Sequence, residues 1–147
     1  MSGAPRIGLV LAVDLGTKRV GLALSDPSRV IASPLRTILA DPASTLAERL
    51  AAVVREVEAA EVVVGLPIRM DGAEGPEARS ARITAEALRK LGGIPVRLLD
   101  ERLSSAAAER SLLSQGASRS RRRELSDQVA ATIILQSFLE KPHARRE

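Results

Sequence analysis

The sequence predicts an α/β protein with a mixed sheet flanked by helices, and two observations support this. Three short apolar runs come first, one after another, within residues 7–35. Segments with helical spacing then alternate with short β-branched runs as far as residue 140. Consecutive strands favour antiparallel pairing, whereas strand-helix-strand units favour parallel strands with right-handed crossovers. Because the 147 residues contain no repeat and no dividing linker, we expect a single domain over residues 1–147.

The first three strands form the antiparallel part of the predicted sheet. The runs IGLVLAVD and RVGLALSD are joined by the short connection LGTK, in which Gly16 supplies the freedom for a turn. A third extended piece, RVIASPL, follows Asp26 and Pro27. Three short strands in a row predict an antiparallel meander.

The meander is followed by a helix, a strand and a second helix. Asp41 is expected to cap the first helix, with Pro42 at its first position. Its apolar residues recur with helical spacing at Leu46, Leu50, Val53, Val54 and Val57. The run EVVVGLP predicts a strand covered on both faces. Pro76 then opens the second helix, which ends at Gly92 and Gly93 and has the predicted apolar stripe Ile83, Ala87, Leu88 and Leu91.

The last third of the chain completes the sheet and its helices. IPVRLLDE is the fifth predicted strand, and Ser104 caps a helix that runs to about Leu113. An arginine-rich loop follows, and residues 124–140 form the last helix, ahead of a short basic tail from about residue 141. The prediction is therefore a five-stranded sheet, three strands antiparallel and two parallel, with about four helices.

The composition makes several kinds of active site improbable. The chain has no cysteine, which excludes disulfides, thiolate zinc sites and a cysteine nucleophile. The one histidine, His143, lies in the polar tail, so a Ser-His-Asp hydrolase or a histidine-ligated metal is not expected. No signal-peptide pattern begins the sequence, and no apolar run approaches the roughly 18 residues of a membrane span. We expect a soluble protein of the cytoplasm.

The positive charge is concentrated in one stretch. The net charge is +4, and residues 110–123 contain five arginines and no acid, so the remainder of the chain sums to about −1. The planar guanidinium group suits phosphate oxygens, so a partner with repeated phosphates is one interpretation. A solvated arginine loop that aids solubility is the other.

Carboxylates follow the strands at the predicted ligand-binding end of the sheet. Asp14 ends the first strand, Asp100 and Glu101 end the last, and Asp127 opens the final helix. Ligands in open α/β sheets bind at the carboxyl ends of the strands. Acids that converge there repel one another unless one stays protonated or a cation binds. Mg²⁺ and Mn²⁺ prefer carboxylate oxygens, and two such ions roughly 4 Å apart support phosphodiester hydrolysis.

Each acid also has a structural explanation. Asp14 could accept hydrogen bonds from the backbone of the Gly16-Thr17 turn. Asp127 could be a first-turn acid favoured by the helix dipole, and Asp100 could pair with Arg102 or Arg97. Glu101 has the weakest structural explanation of the four.

The chain resembles the YqgF family, also called RuvX, a group of pre-16S ribosomal RNA nucleases and Holliday junction resolvase-like proteins. The resemblance rests on four blocks in the family's order: VDLGTKRVGLALSD, VVVGLP followed by MDG, LLDERLSS and SDQVAATIILQSFL. It implies a ribonuclease H-like fold. It also implies a nuclease that uses two Mg²⁺ or Mn²⁺ ions, whose metal-binding catalytic acids match Asp14, Glu101 and Asp127.

Other residues of these blocks are candidates for supporting roles. Asp100 lies in the same motif as Glu101, but its side chain should point to the other face of the strand. Thr17 and Lys18 could position a metal-bound water or a phosphate, or be a turn threonine and a solvated lysine. Arg102 could reach a phosphate or form a surface ion pair. The family often has a lysine-rich stretch before its last helix, which here contains Arg119, Arg121, Arg122 and Arg123.

The sequence therefore favours a metal-dependent endonuclease that acts on structured RNA and trims the small-subunit ribosomal RNA precursor. Cleavage of four-way DNA junctions is the alternative within the same chemistry, and it predicts a homodimer rather than a monomer. A non-catalytic RNA-binding factor is an alternative of another class. DLGT also resembles the phosphate-binding turn of the actin, Hsp70 and sugar-kinase superfamily, but 147 residues leave no room for the second domain that ATP binding there requires.

Overall fold

The structure, a computed structural model, contains the predicted five-stranded mixed sheet. It describes residues 8–103 and 119–141, with side chains in the second range from residue 128 onward. The strands are β1 (Leu9–Leu15), β2 (Arg19–Ser25), β3 (Ala32–Leu39), β4 (Ala59–Leu66) and β5 (Val96–Asp100). Their order in the sheet is β3-β2-β1-β4-β5. The pairs β1-β2 and β2-β3 are antiparallel and the pairs β1-β4 and β4-β5 are parallel, which confirms the predicted topology.

Helices cover both faces of this sheet. The described helices are α1 (Leu46–Val57), α2 (Pro76–Gly92) and α3 (Arg119–Leu139), with short 3-10 turns at Ala43–Thr45 and Glu101–Leu103. The predicted helix over residues 104–113 lies outside the described residues. No helix in the described part of the chain is both long and apolar enough to cross a membrane.

Alternation along the strands divides the core into two layers. Leu11 and Val13 of β1 belong to the layer beneath α1 and α2, whereas Val10 and Ala12 belong to the layer beneath α3. Neighbouring side chains of a strand point to opposite faces, so Asp14 continues the row of Val10 and Ala12. Asp14 therefore lies on the α3 face of the sheet.

The third strand begins later than the sequence predicts. The residues expected to open it form a turn around Asp26, whose carboxylate accepts hydrogen bonds from the backbone N–H groups of Val30 (2.8 Å) and Ile31 (2.7 Å). Arg29 within this turn has a positive φ of 63°. A side chain that takes up backbone donors competes with sheet pairing, so β3 starts only at Ala32.

The first helix also begins later than predicted. Asp41 does not cap it, Pro42 is extended (φ −80°, ψ 140°), and a 3-10 turn precedes Leu46. The guanidinium of Arg49 explains this, because it donates to the carbonyl oxygens of Leu39 (2.6 Å), Ala40 (3.2 Å) and Pro42 (3.0 Å). These bonds hold the segment before the helix in an extended conformation.

Two helical predictions need correction. The buried stripe of α2 is Ala78, Ala81, Ala85 and Leu88, while Ile83 is 70% exposed and Leu91 is 51% exposed. The small alanines let α2 pack closely against its neighbours. The alanine side of the helix is therefore buried, and the larger side chains of Ile83 and Leu91 face solvent. Helix α3 begins at Arg119, five residues before the predicted start, because arginine is a good helix former and no Gly or Pro interrupts the run. Arg119, Arg121, Arg122 and Arg123 are therefore helical rather than in a loop.

Candidate active site

The strands β1, β4 and β5 end together at one edge of the sheet, which we call the carboxyl edge. The parallel registers pair Val13 with Val64 and Leu66 with Asp100. Asp14 is the penultimate residue of β1, and Glu101 directly follows β5. The structure therefore brings these two acids to the edge where open α/β sheets bind ligands.

The carboxyl groups of Asp14 and Glu101 form a hydrogen bond with each other. Both residues are half-buried. The pKa of Glu101 is raised from its ordinary 4.5 to about 7, first by burial, then by the charge of Asp14 and the hydrogen bond to it, and last by the charge of Asp100. Glu101 therefore titrates near neutral pH, as expected of acids that converge.

Gly65 of β4 provides the space for this pair, a role that the sequence did not indicate. A Cβ at this position would lie 2.6 Å from Oε2 of Glu101 and 2.6 Å from Cδ1 of Ile134. Any side chain here would displace either the carboxylate or helix α3. The available signal was a glycine inside the β-branched run EVVVGLP, since an isolated glycine in a strand marks a close approach.

Asp100 forms an ion pair with Arg102 instead of joining the acid pair. Nε of Arg102 lies 3.1 Å from each carboxylate oxygen, and Nη2 lies 2.7 Å from Oδ2. The bond from Arg102 holds the pKa of Asp100 below its ordinary value. Asp100 follows Leu98 onto the α1 and α2 face, opposite to the α3 face of Leu99, as predicted from alternation.

Thr17 and Lys18 are exposed in the turn between β1 and β2. Thr17 lines a cavity of about 340 Å³ between this turn and the first residues of α1 and α2, together with Leu15 and Gly16. Leu15 points to the face opposite Asp14. The structure thus places Thr17 beside a different surface from the acid pair.

Two glutamines fix the direction of α3 across the sheet. Nε2 of Gln128 donates to Oγ1 of Thr37, near the end of β3 (3.1 Å). Oε1 of Gln136 accepts from the backbone of Ala32, at the start of β3 (3.0 Å). Because β3 runs in the same direction as β1, the first half of α3 lies towards the carboxyl edge.

The remaining predicted residues lie in this first half of α3. Asp127 precedes Gln128 directly, and the arginines at 119 and 121–123 occupy the first turns of the helix. Their side chains lie outside the described part of the structure. Among the described side chains, no group of three or more acids, histidines or cysteines is arranged to hold a metal ion.

Comparison with known proteins identifies the family to which the chain belongs. The family model described as RuvX, Holliday junction resolvase, matches residues 8–141. A protein of Rhodobacter capsulatus named "Putative pre-16S rRNA nuclease" is 49% identical over 137 residues, which are 93% of this chain and 86% of that protein. A protein of the same name from Roseiflexus sp. is 45% identical over 140 residues, which are 95% of this chain and 98% of that protein.

Solved structures support the fold. The chain is similar to RuvC of T. thermophilus in complex with a Holliday junction, with a TM-score of 0.61 and 14% identity over 95% of this chain and 98% of that one. It is also similar to the Holliday junction resolvase of fowlpox virus, with a TM-score of 0.54 and 15% identity over 90% of this chain and 98% of that one. These similarities confirm the ribonuclease H-like fold, and the sequence matches show that the chain belongs to the RuvX family.

Proposed function

We propose that this protein is a divalent-metal-dependent nuclease that hydrolyses RNA in the processing of the small-subunit ribosomal RNA precursor. The observation that carries the proposal is the contact between the Asp14 and Glu101 carboxyl groups at the carboxyl edge. The proposed catalytic acids are Asp14, Glu101 and Asp127.

The acid pair has the properties of a cation site. Two half-buried carboxylates in contact repel each other when both are ionised, and the raised pKa of Glu101 reflects this repulsion together with burial. A divalent cation would compensate both charges. The donor set consists of carboxylate oxygens, which are ligands that Mg²⁺ and Mn²⁺ prefer. The residues present therefore fit such an ion.

The spacing along α3 supports Asp127 as the third acid. Asp127 lies four residues before Ala131 and seven before Ile134, and both of these pack in the core layer on the Asp14 face. Residues four and seven positions apart share one side of a helix. The Gln128-Thr37 bond holds this part of α3 near the carboxyl edge.

A divalent ion at this position would polarise the scissile phosphate and lower the pKa of the attacking water. The contribution of the chain is to hold the ion and the phosphate. Asp14 and Glu101 supply fixed oxygens on one face of the sheet, and Gly65 keeps the space between them and α3 open.

Binding of RNA is expected to depend on contacts with its phosphate groups. Four arginines lie in the first turns of α3, at the end of the helix near the carboxyl edge. The one aromatic residue of the chain, Phe138, is 1% exposed, so it offers no surface on which a base could stack. Binding should therefore be dominated by the RNA backbone and weaken steeply with salt.

We favour RNA over DNA as the proposed substrate because both relatives described above are named pre-16S rRNA nucleases. Cleavage of four-way DNA junctions is the second candidate. It is favoured by the description of the family as Holliday junction resolvases.

The test is cleavage of labelled ribosomal precursor RNA and of a four-way DNA junction, each with Mg²⁺, Mn²⁺ or EDTA. The variants are Asp14→Asn, Glu101→Gln and Asp127→Asn, with Glu56→Gln as a control because Glu56 is an exposed acid that pairs with Arg36 on the protein surface. We expect metal-dependent RNA cleavage that falls by about 10²- to 10³-fold or more in the three variants and is unchanged in the control.

Other outcomes would change the conclusion. Preferential cleavage of the junction would make the second candidate the function. Binding of RNA without cleavage under any metal would contradict the nuclease and favour a non-catalytic RNA-binding factor.

A further inference from the structure

A row of three paired residues crosses the sheet at the level of the acid pair. Asp14 of β1 is paired with Gly21 of β2, and Gly21 is paired with Thr37 of β3. Directly paired residues of neighbouring strands point to the same face, so Asp14 and Thr37 both lie on the α3 face. Because neighbouring strands are about 4.8 Å apart, the Cα atoms of Asp14 and Thr37 are separated by about 10 Å.

The middle of this row is open on the α3 face. Gly21 is buried although it has no side chain, and helix α3 packs against all three strands of the row. An isolated glycine in a strand often marks a close approach of another backbone. The row therefore gives α3 room to approach the sheet between Asp14 and Thr37.

Helix α3 is attached to the outer end of this row by a side-chain hydrogen bond. Nε2 of Gln128 donates to Oγ1 of Thr37 (3.1 Å), across 91 positions of the chain. Both residues are half-buried, where a hydrogen bond is stronger than it is at an exposed site. Asp127 is the preceding residue of α3, at a rise of about 1.5 Å along the helix axis. The bond therefore fixes how far along the sheet the backbone of Asp127 lies.

A second glutamine attaches the other half of α3 to the same strand. Oε1 of Gln136 accepts from the backbone N–H of Ala32 (3.0 Å), and its Nε2 donates to the carbonyl oxygen of Val30 (3.2 Å). This attachment is at the beginning of β3, away from the carboxyl edge. The two glutamines have the same chemistry, but Gln128 adjoins a proposed catalytic acid and Gln136 does not.

We propose that the hydrogen bond between Gln128 and Thr37 is a positioning contact, which holds α3 at the level where Asp127 lies opposite the Asp14-Glu101 pair. Both side chains are neutral, and neither is assigned to the metal or to RNA. Without this bond the first half of α3 is free to shift along the sheet, and a displacement of about 1 Å can cost about 10²-fold in rate. This inference rests on the proposed function, in which Asp127 is the third acid.

The experiment compares variants that remove each attachment without changing the charge of the protein. Thr37→Val removes the accepting hydroxyl at nearly constant shape, and Thr37→Ser keeps a hydroxyl. Gln128→Leu removes the donor, and Gln136→Leu is the matched control at the other end of β3. For each variant we would measure kcat and KM for cleavage of the precursor RNA, Mn²⁺ binding by calorimetry without RNA, and unfolding in urea.

We expect Thr37→Val and Gln128→Leu each to lower kcat and to weaken Mn²⁺ binding by about 10-fold, with little change in KM for RNA. The double variant should lose no more than either single variant, because both substitutions remove the same bond. Thr37→Ser and Gln136→Leu should keep the wild-type kcat and Mn²⁺ affinity. Gln136→Leu should still unfold at a lower urea concentration, because it loses two hydrogen bonds.

Wild-type kcat and Mn²⁺ binding in Gln128→Leu would overturn the inference while leaving the nuclease proposal intact. Equal losses of kcat and Mn²⁺ affinity in Gln128→Leu and Gln136→Leu would also overturn it, because any attachment of α3 would then serve. A wild-type chain that neither cuts RNA nor binds Mn²⁺ would contradict the proposed function and this inference together.

Discussion

The two ends of the sheet both carry carboxylates, but the fold treats them in opposite ways. At the end opposite the carboxyl edge, Glu61 is 6% exposed and accepts from Nη1 of Arg29 (2.8 Å) and from Nε of Arg97. Asp26 accepts from three backbone N–H groups, and these bonds and the hydroxyl of Ser28 lower its pKa to about 2. Donors within the chain satisfy both acids there.

At the carboxyl edge the corresponding contact is between two acids. Burial, the charge of Asp14 and the charge of Asp100 all raise the pKa of Glu101, to about 7. Glu61 is the more buried acid, yet arginines compensate its charge. Under the proposed function, a cation would compensate the charges of the Asp14-Glu101 pair, so burial alone would not distinguish a cation site from a structural acid.

The largest expected effects distinguish the two ends by function. Asp14→Asn should abolish metal-dependent cleavage, as set out above, with little loss of stability, because it removes carboxylate repulsion.

Glu61→Gln should leave cleavage by the folded protein unchanged but lower its stability. It removes the anionic partner of the buried Arg29 side chain and should cost about 3 kcal/mol of unfolding free energy. Urea unfolding and cleavage by the folded protein measure the two effects. Full stability of Glu61→Gln would remove the contrast.

Gly65→Ala tests how the acid pair is accommodated. The added Cβ would contact Glu101 and Ile134 at 2.6 Å, so we expect a loss of about 1–3 kcal/mol and at least about a 10-fold loss of activity. Gly92→Ala is the matched control, since the nearest heavy atom to its Cβ would be 3.7 Å away. Normal activity in Gly65→Ala would mean that Glu101 can move without loss of function.

The convergence of Asp14 and Glu101 was predictable because their strands are parallel and end at the same edge. The order of elements likewise predicted the sheet topology. Both depend on local patterns along the chain.

The features that the sequence did not reveal depend on long-range contacts. The Arg29-Glu61 ion pair joins residues 32 positions apart, and Gly65 is required because Glu101 and Ile134 approach it from other elements. The late start of α1 depends on bonds from Arg49 back across seven to ten positions. Neither hydrophobic periodicity nor capping preference contains this information.

The measurement that tests the central claim most directly is unfolding of the wild type and Glu101→Gln between pH 5 and 8.5, in EDTA and in Mn²⁺. A carboxyl whose pKa is higher in the folded protein stabilises it at low pH, and this contribution is lost as pH rises from the ordinary 4.5 through about 7. In EDTA the wild type should therefore lose stability relative to Glu101→Gln, by on the order of 2 kcal/mol at pH 8.5. Mn²⁺ should restore the stability of the wild type above pH 7 and should change the stability of the variant much less. Parallel pH profiles of the two proteins in EDTA, or no stabilisation of the wild type by Mn²⁺, would contradict the account.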